Sequence, residues 1–332
     1  MSRLKLLLLV LGLFLITSCA VQTGPPVSPE EIRRSQAEIW EIKLQEYFTC
    51  EERVGRLLIR ILPQTEQEKP YPWFLVKGVD LARTPEEVDQ ALSEIFNENL
   101  PEKGILVTFV HPYYQNQGLQ RGMLIRKLLS QEISLEHPIK LELTTGQRLN
   151  LKSLVIQTRP VDFRIVDSPQ PNAWVTPDYR LHVTTALCRV LTNDNELAAV
   201  VGHELAHLKR GHLKKQMALM TLRDLLGIGI YALAGQTARD VYQLGTNFAL
   251  LKFSRDQERE ADFYGLWYIY RAGFNLEQAA QVWIHLAAVL PPGPPNILST
   301  HPSSAERLAR IRKIVKAIQA GQSFEAIKDK IQ

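Results

Sequence analysis

Ala199-Val200-Val201-Gly202-His203-Glu204-Leu205-Ala206-His207 is the stretch on which the reading of this chain turns. Residues four apart share a helical face. His203 and His207 can therefore reach one metal ion, and Glu204 can hold a water against it, the spacing used by hydrolytic zinc sites. The flanks predict a helix. Leu197, Val200, Val201 and Leu205 form an apolar stripe. Asn193 with Glu196 can form a capping box, and Gly211 can end the helix after Lys209 and Arg210.

Two histidines leave a tetrahedral zinc short of ligands, and a catalytic site wants one more side chain and a water. The segment Ser254-Arg255-Asp256-Gln257-Glu258-Arg259-Glu260-Ala261-Asp262 opens a second predicted helix running to Gly273. By spacing, Glu258 and Glu260 both qualify as the third ligand. Glu258 is preferred because Asp262, one turn on, can accept from the outer nitrogen of a ligating histidine and orient its ring.

Length and composition set the frame. The 332 residues suffice for two domains or one large core, with 45% hydrophobic and 22% charged residues. The formal charge of +4, with no basic stripe, gives no argument for a nucleic-acid partner. Arg3 and Lys5, the apolar run Leu6 to Ile16 and Thr17-Ser18-Cys19 read as a targeting segment over 1–18. Residues 19–28 read as a tether, and 29–63 as a long amphipathic helix started by Ser28-Pro29-Glu30-Glu31 and ended near Pro63. Residues 70–158 have their own α/β texture and read as an inserted accessory region. Strands are expected over Trp73–Val79, Gly104–His111, Leu135–Leu143 and Leu149–Gln157, with helices after Thr84-Pro85 and over Gly118–Ser130. Tyr113 and Tyr114 suit a polar turn or an exposed binding loop.

Strands are expected again over 161–166, 172–177 and 181–185, where an exposed edge can align an extended peptide. His111, His137 and His182 read as structural or surface residues. Residues 217–250 read as a helical hairpin, with a membrane-touching hairpin as the alternative. Asn275 with Gln278 starts a helix to about Leu290, Pro291–Pro295 is a stiff break, and Ser303 with Glu306 caps a last long helix. Residues 321–332 form a short helix or tail. Cys50 and Cys188 are either paired or buried as free thiols.

Taken together, four segments resemble the M48 family of zinc metallopeptidases, in its bacterial envelope lipoprotein and assembly-protease branch. They are Pro171-Asn172-Ala173-Trp174, His203-Glu204-Leu205-Ala206-His207, Ser254-Arg255-x-x-Glu258-x-x-Ala261-Asp262, and Ser299-Thr300-His301-Pro302 with Arg307. The likeness covers about 30–62 and 160–320. The first segment departs from the family's Asn-Ala-Phe-Ala and Pro-Gly-Gly pattern at Trp174 and Thr176-Pro177-Asp178-Tyr179. The resemblance implies an α+β fold: a mainly helical zincin-like metallopeptidase core over 160–320 with a small β-sheet, plus the accessory region.

It also implies one Zn2+ per chain on His203, His207 and Glu258, Glu204 as base and later acid, and Asp262 supporting the histidine shell. His301 is implied as a fourth ligand that latches the site, or is a surface histidine. Arg307 is a catalytic donor or holds the His301 loop. Asn172, Ala173 and Trp174 would form the substrate edge. Ile16-Thr17-Ser18-Cys19 resembles a bacterial lipoprotein box, implying lipidation at Cys19 and export to the envelope, with the outer membrane facing the periplasm expected. Substrates would be unfolded or misassembled envelope proteins, with 70–158 able to carry a partner. The competing reading is a chaperone-like or adaptor lipoprotein whose zinc site is structural or permanently closed.

Overall fold

A computed structural model describes residues 25–97, 99–130, 132–218, 253–290, 296–302 and 304–329. The targeting segment with Cys19, the hairpin expected over 217–250 beyond residue 218, and the Pro291–Pro295 break lie outside the described residues. The architecture is α+β, with a predominantly helical core and, among the described residues, three small sheets.

Helix α1, Pro29–Ile61, runs unbroken for 33 residues. The expected capping box is present: Ser28 Oγ accepts from Glu31 N–H, and the Glu31 carboxylate accepts from Ser28 N–H at 2.7 Å. Its first half is largely solvated, with Ile32, Ile39 and Ile42 exposed. Its second half buries Val54, Leu57, Leu58 and Ile61.

The segment after it holds β1 (Tyr71–Pro72), β2 (Val76–Asp80), α2 (Glu86–Phe96), β3 (Ile105–Val110), α3 (Pro112–Gln115), β4 (Leu124–Leu128), β5 (Ile139–Leu143), β6 (Arg148–Leu151) and β7 (Val155–Ile156). Strands β2 to β6 form one antiparallel sheet in sequence order, and β1 pairs with β7.

The helix expected over Gly118–Ser130 is instead β4. The spacing of Leu124, Ile125, Leu128 and Leu129 imitates a helical stripe. Gly118 and Gly122, both in left-handed backbone conformation, break the chain before it, and Ile125 pairs with Leu143 across the sheet. Thr84 is not the cap of α2. Pro85 holds that position, and the Thr84 hydroxyl bonds Leu81 O and the Asp89 side chain. Tyr114 is core, not a binding loop. It is fully buried, its hydroxyl donating to Trp73 O and accepting from Leu154 N–H.

The region is not packed apart from the rest. Trp73, Leu75, Phe109 and Ile156 join the same apolar cluster as α1 and the C-terminal helices. At the seam, a Cβ on Gly55 of α1 would stand 2.4 Å from the Phe109 ring, so only glycine lets the sheet seat there.

Next come β8 (Asp162–Val166), β9 (Ala173–Thr176) and β10 (Arg180–Thr184), in the order β8-β10-β9. Strand β10 runs parallel to β8 and antiparallel to β9, which places β9 at a margin of the sheet. Alternation buries Phe163, Ile165, Val175, Leu181 and Val183 on one face. On the other, Trp174 and His182 are cross-strand partners with stacked rings 4.9 Å apart, so His182 is structural as expected. Tyr179 closes the β9–β10 turn at φ 62°, where glycine would sit without strain, and Arg159 stacks on its ring.

The remaining elements are α4 (Thr185–Val190), α5 (Asp194–Lys209), a helical segment over 212–218, α6 (Arg255–Arg271), α7 (Leu276–Ala279), α8 (Val282–Val289), α9 (Ile297–Thr300), α10 (Ala305–Gln319) and α11 (Phe324–Lys328). The helix expected from Asn275 to Leu290 is broken in two at Ala280–Gln281. Ser304, not Ser303, caps α10, accepting from Arg307 N–H at 3.1 Å. Asn193 caps α5 through Asn195 N–H. Glu196 leaves the expected box and pairs with His285 at 2.9 Å. Cys50 and Cys188 form a disulfide, with Cα atoms 5.6 Å apart, tying α1 to α4.

Glu51, beside Cys50, is buried with one carboxylate oxygen unbonded, and burial pushes its carboxyl up to about 7. A carboxyl raised in the fold binds its proton more tightly there than in the unfolded chain. Its contribution to stability is therefore full below about pH 4.5 and is lost as pH rises through about 7. Glu51→Gln should flatten this dependence, gaining roughly 2–3 kcal/mol over the parent between pH 5 and pH 9 in urea unfolding. Parallel pH profiles for the two proteins would refute the assignment.

Candidate metal centre

Helix α5 carries His203, Glu204 and His207, and its apolar residues Leu197, Val200, Val201 and Leu205 are fully buried. It ends at Arg210, and Gly211 at φ 71° turns the chain. Helix α6 is started by a capping box between Ser254 and Gln257. The two helices meet backbone to backbone at Gly202 and Gly265. A Cβ on Gly265 would lie 2.8 Å from His203 N, and one on Gly202 would lie 2.9 Å from Gly265 O. That approach brings Glu258 and Asp262 up against the histidine face. Short helix α9 delivers His301 from a third direction.

The donor atoms converge. His203 Nε2 lies 3.0 Å from His207 Nε2 and 3.1 Å from His301 Nδ1. Glu258 reaches His203 at 3.5 Å, His207 at 3.4 Å and His301 at 2.8 Å. Among the described residues, His203, His207, Glu258 and His301 form the one group able to hold a metal, all buried, with ligand atoms within 4.8 Å of one another. Ligands of a tetrahedral zinc, at roughly 2.0–2.2 Å from it, stand about 3.3–3.5 Å apart. The observed spacings bracket that value, and Glu258 Oε2 is buried without a hydrogen bond, leaving a lone pair to give. A nitrogen and carboxylate donor set of this size fits zinc.

His203 and His207 each have a polar group on their outer side. His203 Nδ1 lies 3.1 Å from Asp262 Oδ1. Asp262 in turn accepts from Arg307 Nε at 2.9 Å and Nη2 at 2.7 Å. Arg307 also donates to the carbonyls of His301 and Pro302 and lies over the Trp283 ring, 3.7 Å from its centroid. Its guanidinium thus bonds Asp262 and the His301 turn, and its Nη2 also lies 3.4 Å from Glu258 Oε2. Glu260, the competing ligand, lies elsewhere: it bonds His212 and Arg210. His111 and His137 stay outside the cluster, with local partners.

Electrostatics follow from this packing. Burial alone would raise the Glu258 carboxyl, but the His301 charge and the close approach of the His203, His207 and His301 rings hold it far below the usual range. Burial would likewise favour a neutral His301, yet Glu258 and Glu204 raise it to about 10. For His207 burial wins and its pKa falls well below the ordinary value. Burial opposes the charge on Asp262 as well, and the Arg307 guanidinium overcomes it. The carboxylates that raise His301 would equally attract a divalent cation.

Comparison with known sequences bears on this geometry directly. The profile of peptidase family M48 matches residues 144–315. The chain belongs to peptidase family M48. It is similar to the mitochondrial metalloendopeptidase OMA1 of Saccharomyces cerevisiae, at 30% identity over 46% of each chain. It is also similar to the metalloprotease LoiP of Escherichia coli, at 28% identity over 49% of this chain and 66% of that one. A third relative is the beta-barrel assembly-enhancing protease of Escherichia coli, at 30% identity over 50% of this chain and 37% of that one. The chain thus spans about half the length of the curated relatives it matches. Helix α1 lies outside the family match, although it shares the core.

Three neighbours of the centre escape the motif reading: His212, Phe253 and Trp283. Phe253 stacks on His207 with ring centroids 3.8 Å apart, and Trp283 meets His203 edge-on at 5.3 Å. Gly211-His212, directly after the motif helix, is the signal that could have exposed the first.

The Gly202–Gly265 approach generates a sharp expectation. Gly265→Ala sets a methyl against backbone that cannot yield, so the helices must part. Stability should fall by roughly 1–3 kcal/mol in urea unfolding, and zinc retained after dialysis should drop at least severalfold. Normal stability together with full zinc content would contradict the close approach.

Proposed function

We propose that this chain is a zinc-dependent endopeptidase of the bacterial envelope, latched by His301 until substrate arrives. The observation that carries the reading is the convergence of His203, His207 and Glu258 with Glu204 beside them. Zinc held there supplies Lewis acidity toward a water and a scissile carbonyl. Glu204 takes the proton from the attacking water and passes it to the leaving amine. Asp262 holds His203 in orientation, and Arg307 ties Asp262 to the His301 turn.

His301 supports the latch. Its Nε2 is 3.2 Å from Glu204 Oε1 while its Nδ1 faces the ligand cluster, so the ring stands where a water would meet the base. The turn that carries it also contacts the expected substrate edge: Ile297 N–H donates to Pro171 O at 3.1 Å, just ahead of Asn172, Ala173 and Trp174. Asn172 is buried and fixed to Thr184, which steadies the start of marginal strand β9. An extended peptide pairing along β9 would approach the latch turn from the side on which it is held. An unfolded or misassembled envelope protein offers such a segment.

Three features support the location. Relatives include Escherichia coli proteases, one of them named for enhancing beta-barrel assembly. The Cys50–Cys188 disulfide suits an oxidising compartment. The Arg3–Cys19 pattern suits lipid anchoring at Cys19, with no helix among the described residues long and apolar enough to cross a membrane. Residues 70–158 are the proposed partner-facing part, supported by exposed Leu128, Leu129, Ile133 and Leu135 around the β4–β5 connection.

The closed His301 also favours a second reading, a chaperone-like or adaptor protein with a permanently shut site. Two variants separate them. Glu204→Gln should abolish cleavage of an unfolded substrate such as casein, by at least 100-fold, while one zinc per chain remains. His301→Ala should raise cleavage severalfold above the parent. An inactive His301→Ala protein that still holds zinc would favour the adaptor; cleavage surviving in Glu204→Gln would remove the assigned base.

A further inference from the structure

Beyond the residues assigned above, we propose that His212 is a positioning residue for the metal centre, fixing the tautomer and ring angle of His207 through a relay anchored on Glu260. The proposal rests on the metal-site reading, and its test separates the two.

His207 turns Nε2 toward the other ligand atoms and Nδ1 outward. The outward nitrogen lies 3.0 Å from Nδ1 of His212, and both rings are fully buried. His212 Nε2 lies 3.0 Å from Glu260 Oε2, and Glu260 Oε1 accepts from Arg210 Nε at 2.7 Å. A carboxylate only accepts, so the His212 nitrogen facing Glu260 is an N–H. A metal on His207 Nε2 needs a lone pair there and puts the His207 proton on Nδ1, and a neutral His212 meets that N–H with a bare Nδ1. His207 Nε2 then aims its lone pair into the ligand cluster.

The backbone shows why the contact exists. On a continuous helix, residues five apart face different sides. Helix α5 stops at Arg210, Gly211 adopts φ 71°, and the chain re-enters helix at residue 212. That break swings His212 back beneath His207. On α6 the acids then divide the work: Glu258 faces the cluster, Asp262 orients His203, and Glu260 serves His207 through His212. The two motif histidines thus have different outer partners, a carboxylate for one and an imidazole backed by a carboxylate for the other.

The test uses the full chain loaded with zinc. Imidazole nitrogen NMR should show His212 as the neutral Nε2–H tautomer. Chelator competition should show His212→Ala weakening zinc roughly 10–100-fold, with a changed visible spectrum when cobalt replaces zinc. His212→Asn, whose side-chain oxygen can accept from the same His207 N–H, should recover most of the affinity. Should His212→Ala fail to fold, the tautomer in the parent and the affinity of His212→Asn decide. Parental affinity and cobalt spectrum in folded His212→Ala, or an Nδ1–H tautomer at His212, would overturn the relay while leaving the metal site intact. A parent chain that binds no zinc would overturn both.

Discussion

Two glycines facing each other, Gly202 on α5 and Gly265 on α6, set the distance on which the centre depends. Carboxylate and imidazole side chains reach only a few ångströms, and a shared ligand position tolerates errors of a few tenths. Helices with ordinary side chains between them lie 8–10 Å apart or more. Removing both Cβ atoms lets the backbones touch, so that Glu258 and Asp262, two turns and one turn before Gly265, arrive at His203 and His207 already in register. The glycine inside the motif is therefore part of the geometry that gathers the candidate donors, although it carries no donor atom.

Close approach alone would leave buried polar groups facing each other, and burial without partners is costly. The structure distributes those partners outward. Asp262 bonds Arg307, Arg307 bonds the His301 turn and covers Trp283, and His207 leads through His212 to Glu260 and Arg210. Charge is carried from the sealed centre toward half-exposed groups at the rim. Phe253 and Trp283 shield the rings between these branches, which keeps the local dielectric low and the electrostatic interactions strong.

Much of this was legible because helical period and capping chemistry are local. The motif helix, the Ser28 box and the placing of Glu258 and Asp262 on one face of a second helix all follow from residues within four positions of one another. What the sequence concealed is non-local. Residues 118–130 spell a helical spacing, and only the partner strand at Ile139–Leu143 makes β4 of them. The choice between Glu258 and Glu260 depends on how α6 is rotated against α5. His212 is invisible to a periodicity argument, because five residues match no helical face unless Gly211 breaks the helix. Glu196 fits a capping box by spacing, yet His285, 89 residues on, takes it instead.

Helix α1 shows how a segment outside the family match completes the frame. It is joined to α4 by the Cys50–Cys188 disulfide, immediately ahead of the motif helix. One turn later Arg53 bonds Asp194, the first residue of α5, and the carbonyls of Cys188 and Leu191. Near its end Arg60 donates to Ala272 O at the close of α6. One helix thus braces the start of the histidine helix and the end of the carboxylate helix. Its Gly55 admits Phe109 of the accessory sheet. The sheet over 76–151 thus packs on the same helix that braces both, and among the described residues it supplies no atom to the centre.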